Sequence, residues 1–223
     1  MLREPFFIDG NEIRPRADLL WARLSNADLS QVDLSGSDIY GADLSGANLT
    51  GSDLSITDLS RSNLTGADLS EADLTRSNLY GARLYRAKAV NTNISGADLT
   101  RTYLYEANIT GSDLSSTSMV RAHLTNAKAA GADFSRSNLT DAKLAGIDLS
   151  GAFLTRAKLV GANLVGADLS RADLAGANLA GANLTGANLT SANLTGANLT
   201  GAILTNAVLT DAILLETSLA DQN

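Results

Sequence analysis

The chain has 223 residues, with 24 acidic against 17 basic side chains, a formal net charge of −7, one histidine and no cysteine. Without cysteine there are no disulfide staples, thiolate metal sites or cysteine nucleophiles, so packing and hydrogen bonds must hold the fold in whatever redox compartment it occupies. No apolar run approaches the length of a membrane span, and the acidic balance argues against nucleic acid and membrane surfaces as partners.

The first stretch, Met1-Leu2-Arg3-Glu4-Pro5-Phe6-Phe7, lacks the long apolar core and small-residue cleavage site of a secretory leader, so a cytoplasmic protein is expected with Met1 as its start. Phe6, Phe7 and Ile8, together with Pro5 and Pro15, stand outside the pattern that follows. Residues 1–16 are therefore read as an N-terminal cap over an otherwise open end.

From Ala17 to Asp221 the chain runs through 41 unbroken blocks of five residues in one phase, leaving residues 222–223 as a tail. A period of five is neither helical nor a simple strand, so each block is an extended piece followed by a turn. The central residue is Leu in 34 of the 41 blocks, and the residue two before it is Ala, Ser or Thr in all but Val32 and Ile147. Residues two apart in extended chain share a face, so both point inward, while the intervening Asp or Asn and the following Ser or Thr point outward. The last position holds 18 of the 19 glycines, which marks it as a corner needing the positive φ that glycine adopts cheaply. Tyr85 and Tyr105, Arg101 and Arg121, and Arg136 and Arg156 each recur 20 residues apart. That spacing favours four blocks per coil, hence about ten coils, roughly 4.8 Å apart and close to 50 Å in all. The interior is a leucine column too narrow for a ligand.

Blocks such as Ala42-Asp43-Leu44-Ser45-Gly46 and Ala197-Asn198-Leu199-Thr200-Gly201 resemble the pentapeptide repeat family over roughly residues 17–221. The resemblance implies an all-β fold, a right-handed quadrilateral parallel β-helix, in a family most of whose members lack a known biochemical activity. One branch of that family mimics DNA, binds type II topoisomerases and protects them from quinolones or other poisons.

Charge is unevenly spread along the array: residues 1–75 carry 13 acidic and 5 basic side chains, residues 76–171 carry 7 and 12, and residues 172–223 carry 4 and none. Between Ala17 and Thr75 ten carboxylates occupy some 14 Å of axis, about 0.7 charge per Å against ~0.6 for duplex DNA. Asp28, Asp33, Asp38, Asp43, Asp53, Asp58, Asp68 and Asp73 form this front. The column Asp33, Asp53 and Asp73 reads as a solvated face rather than a calcium ladder.

Two blocks replace the central leucine by alanine, at Ala89 and Ala129, on one side and two coils apart. Met119 and Phe134 share a coil with Ala129 and refill the space. No such partner stands near Ala89, where a small cavity or local backbone shift is expected. On another side the outward column reads Arg83, Tyr103, His123 and Lys143, with Tyr85 and Tyr105 beside it and Arg101 and Arg121 at the preceding corner. Aromatic and guanidinium groups are favoured in interface cores, so this departure from Asp and Asn is the candidate binding patch; stacking that merely protects the ladder is the plainer reading. Near the end, Ile203, Val208 and Ile213 take the outward position and Leu215 follows, so apolar side chains ring the last coils. A homodimer joined there is expected, with cover by the tail as the alternative.

Catalysis has little to build on, because His123 lies on a flat wall with no nucleophile motif around it. No cofactor and no metal site is expected from one histidine and scattered carboxylates. The functional expectation is a non-enzymatic rigid scaffold for protein–protein interaction. Its alternative is a DNA mimic that binds DNA gyrase through the front carboxylates. Direct nucleic-acid binding by the basic and aromatic side is disfavoured by its flatness and by the net charge.

Overall fold

The structure, a computed structural model, describes residues 6–218. It opens on a two-stranded antiparallel hairpin, β1 (Phe6–Ile8) and β2 (Asn11–Ile13), paired Phe6 to Ile13, Phe7 to Glu12 and Ile8 to Asn11. Asp9 and Gly10 turn the chain with φ of 47° and 80°, the positive pair that matches strand twist in a two-residue loop. Strand alternation places Phe7 and Glu12 on the same face, and Phe7 is left 56% exposed. Ile8 and Ile13 instead pack onto the first coil. Of the side chains expected to cover this end, Phe7 therefore does not, and Ile13 joins Ile8 in its place. Pro5, the residues before it and the tail lie outside the described residues.

Beyond the hairpin the chain is a right-handed quadrilateral β-helix. Each outward residue bridges in parallel to its counterpart 20 residues on, from Asp18 with Asp38 to Asn198 with Ser218, so four blocks make one coil. The four walls are named by their outward columns: the first runs from Asp18, the second from Arg23, the third from Asp28 and the fourth from Asp33. Among the described residues all 41 corner positions, from Arg16 to Glu216, have φ between 54° and 69°. The conformation costs a non-glycine residue roughly 1–2 kcal/mol, yet even the β-branched Ile56 adopts it, so stacking of coils overrides local preference.

The block Ala47–Gly51 shows how five amides are satisfied where the outward residue is Asp or Asn. Ala47 N–H closes the turn onto Leu44 C=O at 3.0 Å; Asn48, Leu49 and Gly51 donate to Ala27, Asp68 and Ser70 on adjacent coils at 2.9, 2.7 and 2.9 Å. The fifth donor, Thr50 N–H, has no backbone partner and is taken by its own block's Asn48 Oδ1 at 3.2 Å. This explains the outward position: Asp and Asn both carry an oxygen that closes this side-chain turn, as Asp53 does for Ser55 N–H at 2.9 Å. Asparagine adds an axial bond, Asn193 Nδ2 to Asp173 Oδ1 at 3.0 Å for example. Inward Ser and Thr are equally settled, since Ser52 and Thr57 hydroxyls donate to the C=O three residues back at 2.7 and 2.6 Å.

From Leu19 to Leu199 no central side chain is more than 4% exposed. The two alanine blocks differ. After Ala129 the turn is ordinary, Ala132 N–H to Ala129 C=O at 3.1 Å. After Ala89 the Ser112 hydroxyl inserts itself, donating to Ala89 C=O and accepting from Thr92 N–H at 3.0 Å, in place of the direct turn bond.

Candidate functional site

The second wall is where the repeat gives up a bond it makes elsewhere. Arg83, Tyr103, His123 and Lys143 occupy its outward column on four successive coils, and none of them carries the oxygen that receives the amide two residues on. Among the described residues the N–H groups of Tyr85, Tyr105, Thr125 and Ala145 accordingly have no protein acceptor. Elsewhere such departures, as at Phe153, are isolated along their column.

Rings take the place of the lost bonds. Tyr85 and Tyr105, one coil apart in the same column, stack with centroids 5.5 Å apart and planes within 5°. Tyr103 lies beside them at 5.9 and 6.4 Å, and His123 extends the stack 5.1 Å from Tyr103. Tyr105 Oη is 2.6 Å from His123 Nδ1. The result is a half-buried panel of four rings between the exposed Arg83 and Lys143. A shallow hollow of about 510 Å³, lined by Ser45, Asn63, Thr65, Arg83, Tyr85 and Tyr103, borders its upstream edge.

The two corner arginines predicted for this patch are drawn away from it. Arg101 Nη1 donates to Tyr80 Oη on the first wall at 3.3 Å, and Arg121 Nε lies 3.6 Å from Asp141 Oδ2 further along its own corner. The coherent set is thus Arg83, Tyr85, Tyr103, Tyr105, His123 and Lys143.

Burial, reinforced by the positive charge of Lys143, holds His123 below the ordinary histidine value of 6.5. Burial likewise raises Tyr105, helped by the neighbouring tyrosines, so its hydroxyl stays protonated as a partner for the neutral ring. An unfolded chain takes up the histidine proton at the ordinary value while the folded one resists it, so stability falls as pH drops below 6.5 toward the lowered folded value. Urea unfolding is expected to show a lower midpoint at pH 5.5 than at pH 7.5, a difference that shrinks in His123→Asn. A pH difference equal to wild type in that variant would assign the effect elsewhere.

The front carboxylates do not form one surface. Asp38 and Asp58 lie on the first wall, Asp43 on the second, Asp28 and Asp68 on the third, and Asp33, Asp53 and Asp73 on the fourth, so the charge is a band around the rod. Each has a carboxylate oxygen on the amide two residues later. The Ser30 hydroxyl and amide hold Asp28 below the usual carboxylate range, and the Ser45 hydroxyl, against some desolvation, does so for Asp43. Burial pushes Asp68 up, but Ser70 and the Lys88 ammonium at 3.0 Å more than offset it. These contributions persist until the pH falls through the folded carboxylate range, well below the histidine window.

A second aromatic group escaped the reading of the sequence. On the first wall Trp21 meets Tyr40 edge-on, with centroids 5.1 Å apart and planes at 88°, and the Arg61 guanidinium lies 5.9 Å from the Tyr40 ring centre. Gly41 makes this possible, because its φ is +66° and a Cβ there would collide with the Trp21 ring. The signal was available: Tyr40 and Tyr80 hold the same block position 40 residues apart, which is one column two coils apart.

The family model of pentapeptide repeats matches residues 17–55, 57–88, 82–119, 117–156, 152–190 and 187–221. No curated protein matches the chain. Among solved structures the chain is similar to HetL, a pentapeptide repeat protein involved in heterocyst differentiation regulation from the cyanobacterium Nostoc sp. strain PCC 7120. The two are 37% identical over 89% of this chain and 91% of HetL, with a TM-score of 0.51. A pentapeptide repeat protein of the Arabidopsis thaliana thylakoid lumen is 35% identical over 50% of this chain and 68% of its own, with a TM-score of 0.34. Full-length QnrB1, a plasmid-mediated fluoroquinolone resistance protein, is 18% identical over 85% of this chain and 92% of its own, with a TM-score of 0.41.

Proposed function

This chain belongs to the pentapeptide repeat family, and from that premise we propose that it is a non-enzymatic rod that binds another protein through the ring panel of its second wall. The observation that carries the reading is the surrender, on four successive coils of one column, of a side-chain turn that elsewhere is lost only at isolated positions along a column. A wall built only for stability would retain Asp or Asn there, as the back of the same wall does at Asn163 and Asn183. Tyrosines held rigid by mutual stacking offer a partner large contact area at low entropic cost. HetL, which this chain matches over 91% of its length, is a pentapeptide repeat protein involved in heterocyst differentiation regulation, and a regulatory role is one that a protein-binding panel would serve.

The test is affinity capture from the native lysate with the intact chain and with a Tyr103→Ala, Tyr105→Ala variant. Proteins retained by the wild type are expected to be lost from the variant, while Arg171→Ala, at the corner between the third and fourth walls, keeps them. An identical set of captured proteins in all three would overturn the assignment of this panel.

A second reading rests on the front carboxylates. Because Asp and Asn close the turn equally, the concentration of Asp over the first coils is not demanded by the fold and sets a charge density near that of duplex DNA. On this reading the protein is a DNA mimic that binds DNA gyrase. Supercoiling by gyrase with and without the purified chain separates the two, since no inhibition at micromolar concentration removes the mimic.

We further propose that two copies join through the last coils. Ile203, Val208 and Ile213 are each nearly half exposed, and Leu215 is 67% exposed.

A further inference from the structure

We propose that the gap between Tyr40 and Tyr80 on the first wall is a binding slot for one planar aromatic ring carrying a negative charge. The second wall supplies the ruler. Tyr85 and Tyr105, in consecutive coils of one column, stack 5.5 Å apart and nearly parallel. Tyr40 and Tyr80 occupy the equivalent column two coils apart, with Ser60 on the coil between them. Two stacking steps therefore separate the tyrosines, and the chain provides only a small buried hydroxyl residue where the middle ring would stand. At the adjoining corner Gly81 falls between Arg61 and Arg101 and fills nothing.

An open hollow of about 510 Å³ results, with both tyrosines and Ser60 in its lining, within the size range of small-molecule sites. Arg61 and Arg76 also line it, and Arg101 reaches Tyr80 Oη from the corner. The opposing carboxylates are Asp98, which lines the hollow, and Asp58, whose oxygen is held by Ser60 N–H at 2.9 Å. None of the three guanidiniums has a salt-bridge partner among the described residues. Arg61 rests only loosely over Tyr40. A guest ring replaces that exposed cation–π contact, worth little in water, with two stacking faces, and its anion gives the released guanidinium a charge-assisted hydrogen bond. A nucleobase with its phosphate and a simple aryl phosphate both have this chemistry.

Trp21 is the only tryptophan of the chain and touches one wall of the slot, so its fluorescence reports occupancy without labelling. The intact protein is titrated with AMP, with phenyl phosphate and with inorganic phosphate. A saturable change with AMP or phenyl phosphate at up to millimolar concentration, and none with inorganic phosphate, is expected; the tighter of the two identifies the nucleotide or the aryl source. Ser60→Tyr completes the ladder within the chain and is expected to weaken binding at least tenfold without lowering the melting temperature. Tyr80→Leu, which removes one wall and keeps the corner, is expected to weaken it comparably. Arg61→Gln with Arg101→Gln weakens the anionic probes severalfold. Absence of any saturable change with both aromatic probes, or binding undiminished in both Ser60→Tyr and Tyr80→Leu, overturns the slot.

Discussion

Phe134→Ala is expected to destabilise the protein by about 3–5 kcal/mol, the upper range for truncating a buried aromatic side chain. Phe134 is fully buried at the central position of the fourth wall, in the coil that also holds Met119, Leu124 and the shortened Ala129. Four central residues per coil must fill one cross-section, so the volume missing at Ala129 is made up by a ring from the adjoining wall. Truncating both leaves a void that backbone hydrogen-bonded to two neighbouring coils cannot close. The converse follows from the same geometry. Ala129→Leu alone overpacks the coil and costs about 1–3 kcal/mol, whereas Ala129→Leu with Phe134→Leu restores an ordinary four-leucine layer and returns close to wild type. Urea denaturation of wild type, Ala129→Leu, Phe134→Leu and the double variant, with amide exchange to localise the effect, checks the cycle, because stability in a stacked array is lost first around the damaged repeat. Additive single effects, with no recovery in the double variant, would show that the two positions do not share space.

Ile203→Asp with Ile213→Asp is expected to convert a dimer into a monomer of 23.1 kDa on light scattering. Up to Leu199 the central leucines are sealed, but Leu204 and Leu209 are only partly buried and Leu214 is 40% exposed. Around them stand Ile203, Val208 and Ile213, where every earlier coil of those three walls has mostly polar or charged outward residues. Such an end combines unpaired strand edges with apolar surface, which natural proteins cover by capping or association. Aspartate at Ile203 and Ile213 also restores the side-chain oxygen that accepts the amide two residues on, so the substitutions suit the fold while removing the apolar ring. A wild-type mass already at 23.1 kDa, or a dimer that survives both changes, would sink the proposal.

Much of the architecture was legible in the residues. Leucine and a small residue two apart had to share the interior, and the recurrence of Tyr85 at Tyr105 and of Arg101 at Arg121 favoured four blocks to the coil, the number that the bridges twenty residues apart show. The members of the ring panel were equally readable, since column membership follows from counting by twenty. Other features were not. Asp and Asn looked like solvent-facing polarity, while their oxygens in fact receive an amide that neither turn nor neighbouring coil can satisfy. Arg101 and Arg121 looked like the rim of the panel, but one binds the hydroxyl of Tyr80 and the other pairs with Asp141. Phe7 looked like part of the cap, and strand alternation turned it outward.

What the amino-acid order settled alone was governed by period: the inward column and the corners, and, through the recurrences at twenty, the favoured number of walls and with it the stacking partner of each position. A repeat of fixed length maps sequence separation onto space directly, so those relations need no coordinates. What only the tertiary structure decided was where long side chains lie and which amides find an acceptor, because both depend on coils about twenty residues away competing for the same contacts. The open hollow between the tyrosines of the first wall, edged by guanidiniums that have no salt-bridge partner among the described residues, belongs to that second class.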